Sequence, residues 1–94
     1  MNYIQKVKEA LAERISVEDD LLSLYALLVF TRGTYTTWED VHDAWAIWKN
    51  TTDPLHRSII PFDELSDKVK QMDEEYAQAI KSIAILVNPR NITF

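Results

Sequence analysis

The sequence has no cysteine, one glycine and three prolines among its 94 residues. Without cysteine the chain has no disulfide, no thiolate metal site and no thiol nucleophile, and a reducing cytoplasm is the simplest compartment to expect. So few helix-breaking residues favour helices throughout the chain, and no segment shows the alternating pattern of a strand. We therefore predict a single all-α domain of four to five helices that spans residues 1–94.

Positive charge is scarce as well, because 10 Lys and Arg residues stand against 15 Asp and Glu residues, a net charge of -5. An acidic surface repels a phosphate backbone, so we expect no polymeric nucleic acid as a partner. The longest apolar run, from Leu21 to Phe30 with Ser23 inside it, is too short to span a bilayer, so we expect no membrane contact. Residues 1–13 have no apolar segment of the kind found in signal peptides.

The spacing of apolar residues predicts where the helices lie. The predicted helices are 3–14, 17–32, 37–50 and a last helix that ends near Val87. Thr36 and Glu39 form a T-x-x-E capping box that begins the third helix. After a loop over residues 51–62, Ser66 caps a helical segment, which either ends near Asp73 or continues into the last helix.

The second helix is apolar on almost every side from Leu21 onward, so we predict that it is central in the core. Leu27 and Leu28 are then core residues. Ser16 is the expected N-cap of this helix, and Gly33 is the expected glycine just beyond its C-terminal end.

The third helix contains all three tryptophans of the protein. At about 100° per residue, Trp38, Trp45 and Lys49 fall within one stripe beside His42. The neighbouring core face consists of Val41, Ala44 and Trp48. Indoles beside a cation suit a flat aromatic ligand with an anionic tail, because the ring can stack while the ammonium meets a phosphate. The alternative is that Trp45 and Trp48 are simply part of the core.

Several motifs resemble those of the ryanodine-receptor-type (RyR) domain. The motifs are Val41-His42-x-x-Trp45-Ala46, then His56, then Ile60-Pro61-Phe62-Asp63-Glu64-Leu65, then Lys70 and Asp73. Together they cover about half of the chain, residues 37–83. The sequence departs from the family at Lys49, where the family has arginine, and at Arg57, where it often has proline; a glycine- and aromatic-rich segment is also missing. A second segment, residues 24–34, resembles small uncharacterised proteins of phages and prophages.

The RyR resemblance implies nucleotide binding, either of an adenine nucleotide or of a nucleotide second messenger. His42, Trp45 and Lys49 match the ligand-facing positions of the family motif, and His56 matches its loop histidine. With Trp38 from the helical stripe and Arg57 as a phosphate contact, these residues are the expected binding site. A module of this size without an effector domain would act as a sponge that sequesters a defence signal, as in a phage anti-defence protein.

The segment from Pro61 to Leu65 places two apolar residues around two acids at the mouth of a helix. We expect a structural turn here, with Phe62 or Leu65 in the core.

Catalysis is not expected. No serine has a glycine neighbour that could build an oxyanion hole, and no H-E-x-x-H or Cys/His cluster points to a metal. We therefore predict a binding protein with no catalytic residues, no metal and no cofactor. A protein-interaction or assembly module without a small-molecule ligand remains the alternative, and a homo-oligomer is left open, because a small domain with many aromatics can need a partner surface.

Overall fold

The computed structural model describes residues 2–87, and every regular element in that range is helical. Four α-helices account for most of it: α1 (Tyr3–Ala12), α2 (Asp19–Thr31), α3 (Trp38–Asn50) and α4 (Asp67–Val87). Two short 3₁₀ turns, Gly33–Tyr35 and Phe62–Glu64, precede α3 and α4. The prediction of a small all-α domain with four to five helices is confirmed. No helix within residues 2–87 combines the length and apolarity that a membrane span requires.

The connection between α2 and α3 is fixed by a glycine and an ion pair. Gly33 has a φ of 55°, a conformation that costs little only without a Cβ, so its predicted place just after α2 is confirmed. Arg32 at the end of α2 donates through Nε to Asp40 Oδ2 at 2.8 Å. Burial opposes the ionisation of Asp40, but hydrogen bonds from Arg32 and Thr37 outweigh it and lower the pKa of Asp40.

The capping box of α3 lies one residue later than the sequence predicted. Thr37 Oγ1 accepts a hydrogen bond from the Asp40 amide at 3.0 Å, and the Asp40 carboxylate accepts one from the Thr37 amide at 2.9 Å. The expected pair of Thr36 and Glu39 is wrong because the buried Thr36 hydroxyl already donates to the Gly33 carbonyl at 2.8 Å.

The expected caps of the other helices have mixed outcomes. Ser16 is not the cap of α2; the N-cap position is Glu18, whose side chain makes no capping hydrogen bond. Asp19 and Asp20 in the first turn instead interact favourably with the helix dipole. Ser66 does cap α4, because its hydroxyl accepts from the Val69 amide at 3.3 Å. Of the two alternatives for the C-terminal half, the continuous one is confirmed, since α4 runs through residue 73 without a break.

The core lies where α2 and α4 pack against each other and against α1 and α3. Its buried members are Val7, Leu11, Leu21, Leu22, Tyr25, Ala26, Val29, Val41, Ala44, Ala77, Ile80, Ile83 and Ala84. Helix α2 is therefore central as predicted, but Leu27 is 55% exposed and Leu28 is only half-buried. An almost uniformly apolar helix carries little information about which side faces the core, and the packed side proves to be that of Leu22, Ala26 and Val29.

The loop before α4 is attached to the domain at two points. Leu65, directly after the Phe62–Glu64 turn, is buried, and Phe62 is half-buried, so the predicted structural turn is confirmed. His42 Nε2 lies 2.7 Å from the Ile60 carbonyl oxygen. This contact fastens the loop to the middle of α3 and positions the segment over one face of the helices.

Candidate functional site

A cavity of about 430 Å³ opens between α2, α3, α4 and the loop that contains His56. Its volume falls within the usual range for small-molecule sites, roughly 300–1,000 Å³. Six ring-bearing residues supply much of its lining: Tyr25, His42, Trp45, Trp48, His56 and Tyr76. Aliphatic side chains, Ser58, Glu18 and Asp73 complete it. The site therefore combines a mostly aromatic wall with a few polar groups.

The aromatic rings are ordered by contacts with one another. His42 stacks against Trp45 with ring centroids 5.8 Å apart, and Trp45 meets His56 edge to face at 5.2 Å. Tyr25 and Tyr76 stack at 5.6 Å. Because five of these six rings pack against a neighbouring ring, the wall is preorganised to receive a further flat ring.

Both histidines of the site are held by main-chain hydrogen bonds. His42 is only 3% exposed, and a carbonyl oxygen can only accept, so its Nε2 carries a hydrogen that it donates to Ile60. His56 Nδ1 accepts from the Ser58 amide at 3.0 Å, which places the ring hydrogen of His56 on Nε2. Each contact fixes the orientation of its histidine ring. The Nε2–H of His56 takes no part in the bond to Ser58, so it can donate to another group.

Asp73 is the most unusual polar residue of the cavity. It is 9% exposed, and its Oδ2 has no hydrogen-bond partner within the described part of the chain. Burial raises the pKa of Asp73 to about 6, although the nearby His42 acts in the opposite direction. Burial also raises the pKa of Tyr25, with smaller contributions from Tyr76 and Asp73. Most buried polar atoms in proteins are paired, so the unpaired oxygen marks Asp73, a residue that lines the cavity, as a candidate ligand contact.

The charges around the cavity are of one sign. Two carboxylates line it, Glu18 and Asp73, while none of the lining residues among residues 2–87 is a lysine or an arginine. The interior therefore suits a neutral or cationic group better than a phosphate. Within residues 2–87 no group of three or more metal-ligating side chains comes together.

The structure brings three of the six expected site residues together and separates the other three. His42, Trp45 and His56 line the cavity. Trp38, one turn earlier on α3, is half-buried and lines a separate shallow depression next to Phe62. The helical projection could not separate these positions, because it gives the angle of a side chain around the axis but not its height along it.

The two expected cations lie outside the cavity lining. The Lys49 ammonium lies 5.6 Å from the centre of the Trp48 ring, and Trp48 itself lines the cavity. Arg57 follows His56 in the loop and is exposed. Lys49 is thus the cation that the structure places next to the aromatic wall.

Several residues of the cavity lining were not predicted from the sequence, among them Tyr25, Trp48, Asp73 and Tyr76. The sequence pattern assigns Tyr25 and Trp48 to the core, because a helical pattern does not distinguish a core face from a cavity wall. Asp73 did leave a signal, because it stands four residues before Ala77 and seven before Ile80, on the apolar face of α4. An acid at such a position has to be buried, paired or bound.

The sequence of the chain matches one protein family. A protein-family model described as "Domain of unknown function (DUF7701)" matches residues 2–85. The expected membership of the RyR family is therefore wrong, because the matching family is a different one and its match includes the whole stretch that carried the resemblance. No curated protein and no solved structure matches the chain.

Proposed function

The chain belongs to the DUF7701 family of domains of unknown function, and we propose that it is a small-molecule-binding module for a nucleotide-type ligand. The observation that carries the proposal is the preorganised aromatic cavity between α2, α3 and α4. The flat ring of a nucleobase would stack on the indole of Trp45 or Trp48, and its polar edge would meet the few hydrogen-bonding groups of the site.

The charges decide the orientation of such a ligand. A phosphate placed inside the cavity would meet the carboxylates of Glu18 and Asp73, and this repulsion opposes that pose. The base therefore enters first and the phosphate stays at the rim. There Lys49, which lies 5.6 Å from the centre of the Trp48 ring, supplies a cation beside the aromatic wall. Arg57 is a second candidate, because it adjoins His56 in the loop.

A binding role without chemistry fits this set of side chains. The two histidines are engaged by main-chain atoms, and no described serine or threonine is paired with a base. We therefore propose that the protein is not an enzyme. Binding without turnover would let it sequester its ligand, so the sponge role remains part of this proposal, with the cytoplasm as its compartment.

The proposal is tested by titrating 5′-monophosphates of the four common ribonucleosides and a cyclic dinucleotide into the purified protein. We expect at least one of them to quench tryptophan fluorescence and to raise the melting temperature, since a ligand at 100 times its Kd adds about 2.7 kcal/mol to the free energy of unfolding. Ser58→Phe would fill the cavity and abolish both responses. Ser82→Phe, at an exposed position on α4 that does not line the cavity, is the matched control. No response to any nucleotide at millimolar concentration would refute the proposal.

A protein-interaction module is the second candidate, and exposed apolar side chains favour it. Leu55 is 92% exposed, and Ile47 and Tyr35 are also largely exposed. Large exposed apolar groups are typical of interaction surfaces when they cluster. Light scattering over a concentration series tests self-association, and Leu55→Ser should reduce it if Leu55 lies in the contact. A protein that stays monomeric and binds a nucleotide would support the cavity as the functional site.

A further inference from the structure

We propose that the cavity selects flat rings that present two adjacent N–H donors, and that the Asp73 carboxylate is the group that recognises them. Guanine and aromatic amidines carry such an edge. This inference rests on the proposed function because it concerns the same cavity. It names the chemical groups of the ligand that the cavity accepts.

The position of Asp73 is the first argument. Its side chain is nine-tenths buried, it lines the cavity, and Oδ2 has no partner among the described residues. An ionised carboxylate only accepts hydrogen bonds, and its two oxygens match two parallel N–H donors. A ligand with that edge would satisfy the orphaned oxygen, whereas a ligand with an acceptor there would leave it unpaired and repelled.

Each of the two neighbouring histidines already uses one ring nitrogen in a main-chain hydrogen bond. His42 directs its Nε2–H to Ile60, and His56 uses Nδ1 to accept from the Ser58 amide. Neither of these two nitrogens can contact Asp73 without losing its hydrogen bond to the main chain. We infer that a bound molecule supplies the donor that Asp73 Oδ2 lacks among the described residues.

The rings around Asp73 supply the second argument. Tyr25 and Tyr76 stack beside it, and Trp45 and Trp48 form the other wall. Aromatic faces attract cations and electron-poor rings, and the carboxylate of Glu18 adds to the negative potential of the cavity. Aromatic anions should consequently be rejected, and aromatic cations with an N–H edge should be accepted.

Among nucleobases this chemistry favours guanine. Guanine offers N1–H and the exocyclic amino group side by side, hypoxanthine lacks the amino group, and adenine offers one donor next to an acceptor. A well-placed bidentate pair distinguishes related bases by about ten- to a hundredfold in affinity. We expect that preference for guanosine monophosphate over inosine and adenosine monophosphates.

The experiment uses calorimetry on the wild type, Asp73→Asn and the control Glu74→Gln, which changes an exposed acid next in sequence. The probes are guanosine, inosine, adenosine and xanthosine monophosphates, with benzamidine, benzamide and benzoate. The wild type should bind guanosine monophosphate and benzamidine but not benzoate. Asp73→Asn should lose roughly ten- to a hundredfold for both ligands while Glu74→Gln binds like the wild type.

Binding of xanthosine monophosphate by the Asp73→Asn variant distinguishes a recognition role of Asp73 from a structural one. Asparagine offers one acceptor and one donor, which match the N1–H and the adjacent carbonyl of xanthine. Asp73→Asn should therefore bind xanthosine monophosphate more tightly than guanosine monophosphate, and a merely structural role of Asp73 would not reverse the order.

The two proposals fail in different ways. Binding of benzamidine that depends on Asp73, with no binding of any nucleotide, would support the recognition role and refute the nucleotide ligand. Nucleotide binding that is equal in the wild type and Asp73→Asn would overturn the role of Asp73 and leave the proposed function standing. Equal binding of benzamidine and benzoate by the wild type would also overturn it.

Discussion

Replacing Asp73 with asparagine should stabilise the free protein at neutral pH. The carboxylate lies in an aromatic cavity, Oδ2 has no partner among the described residues, and burial raises the pKa of Asp73 from 3.8 to about 6. At pH 7 the folded protein therefore holds a charge that its surroundings disfavour. Asparagine removes the charge while keeping nearly the same shape, so the variant avoids this cost.

The size and the sign of the effect follow from the two pKa values. A rise from 3.8 to about 6 corresponds to up to ~3 kcal/mol, and solvent entering through the open cavity reduces this to ~1–3 kcal/mol. Because the folded pKa lies above the unfolded one, protonated Asp73 adds its full contribution below about pH 4, and this contribution is lost as pH rises through about 6. The stability advantage of Asp73→Asn over the wild type should thus grow from near zero at about pH 4 to ~1–3 kcal/mol at about pH 7.5.

Urea unfolding followed by circular dichroism at both pH values measures this difference. All other carboxylates titrate in both proteins, so their contributions cancel in the comparison. Glu74→Gln serves as the control, and its difference from the wild type should stay within about 0.5 kcal/mol at both pH values. A variant Asp73→Asn that is less stable than the wild type at about pH 7.5, or whose advantage does not change with pH, would show that the buried charge of Asp73 does not destabilise the fold.

Four further predictions concern packing, capping and binding. Ile80→Ala should cost ~2–5 kcal/mol in urea unfolding because Ile80 is fully buried, whereas Leu27→Ala, at an exposed site, should cost under ~1 kcal/mol; similar costs would contradict the burial pattern. Thr37→Ala removes the cap of α3 and should lower stability by ~0.5–2 kcal/mol, and an unchanged melting temperature would speak against the capping box. Trp45→Ala should weaken nucleotide binding by ~1–3 kcal/mol through lost stacking. Lys49→Glu should weaken binding of a monophosphate but not of the corresponding nucleoside, and calorimetry with both ligands separates a phosphate contact from an effect on the base.

The fold could be predicted from local chemistry because helix periodicity and caps are properties of neighbouring residues. Val41 and Ala44 fell on the core face as expected, and Gly33 marked the end of α2. Errors arose where two local choices were nearly equal. Thr36 and Thr37 could both cap α3, and only the contact of Thr36 with Gly33 separates them. Likewise, Leu27 and Leu22 look alike in an apolar helix until the packing partners are known.

The predicted residues that line the cavity are confined to α3, which carries His42 and Trp45, and to the loop after it, which carries His56. The opposite wall comes from Tyr25 on α2 and from Asp73 and Tyr76 on α4. Their contribution depends on how distant segments pack, which periodicity within one helix does not encode. The position of Asp73 on an apolar face was the one signal that pointed across the cavity.

The cavity is built from segments that lie far apart in the chain, from Val17 to Tyr76, and α1 contributes nothing to its lining. A partly unfolded domain that has lost α2 or α4 therefore has no site. Amide protons that exchange only through global opening should then slow down by the same factor when a ligand is added, including those of α1, which the ligand does not touch. Amides at fraying helix ends should keep their exchange rates. A ligand for this cavity would in that way protect the whole domain from degradation through the unfolded state.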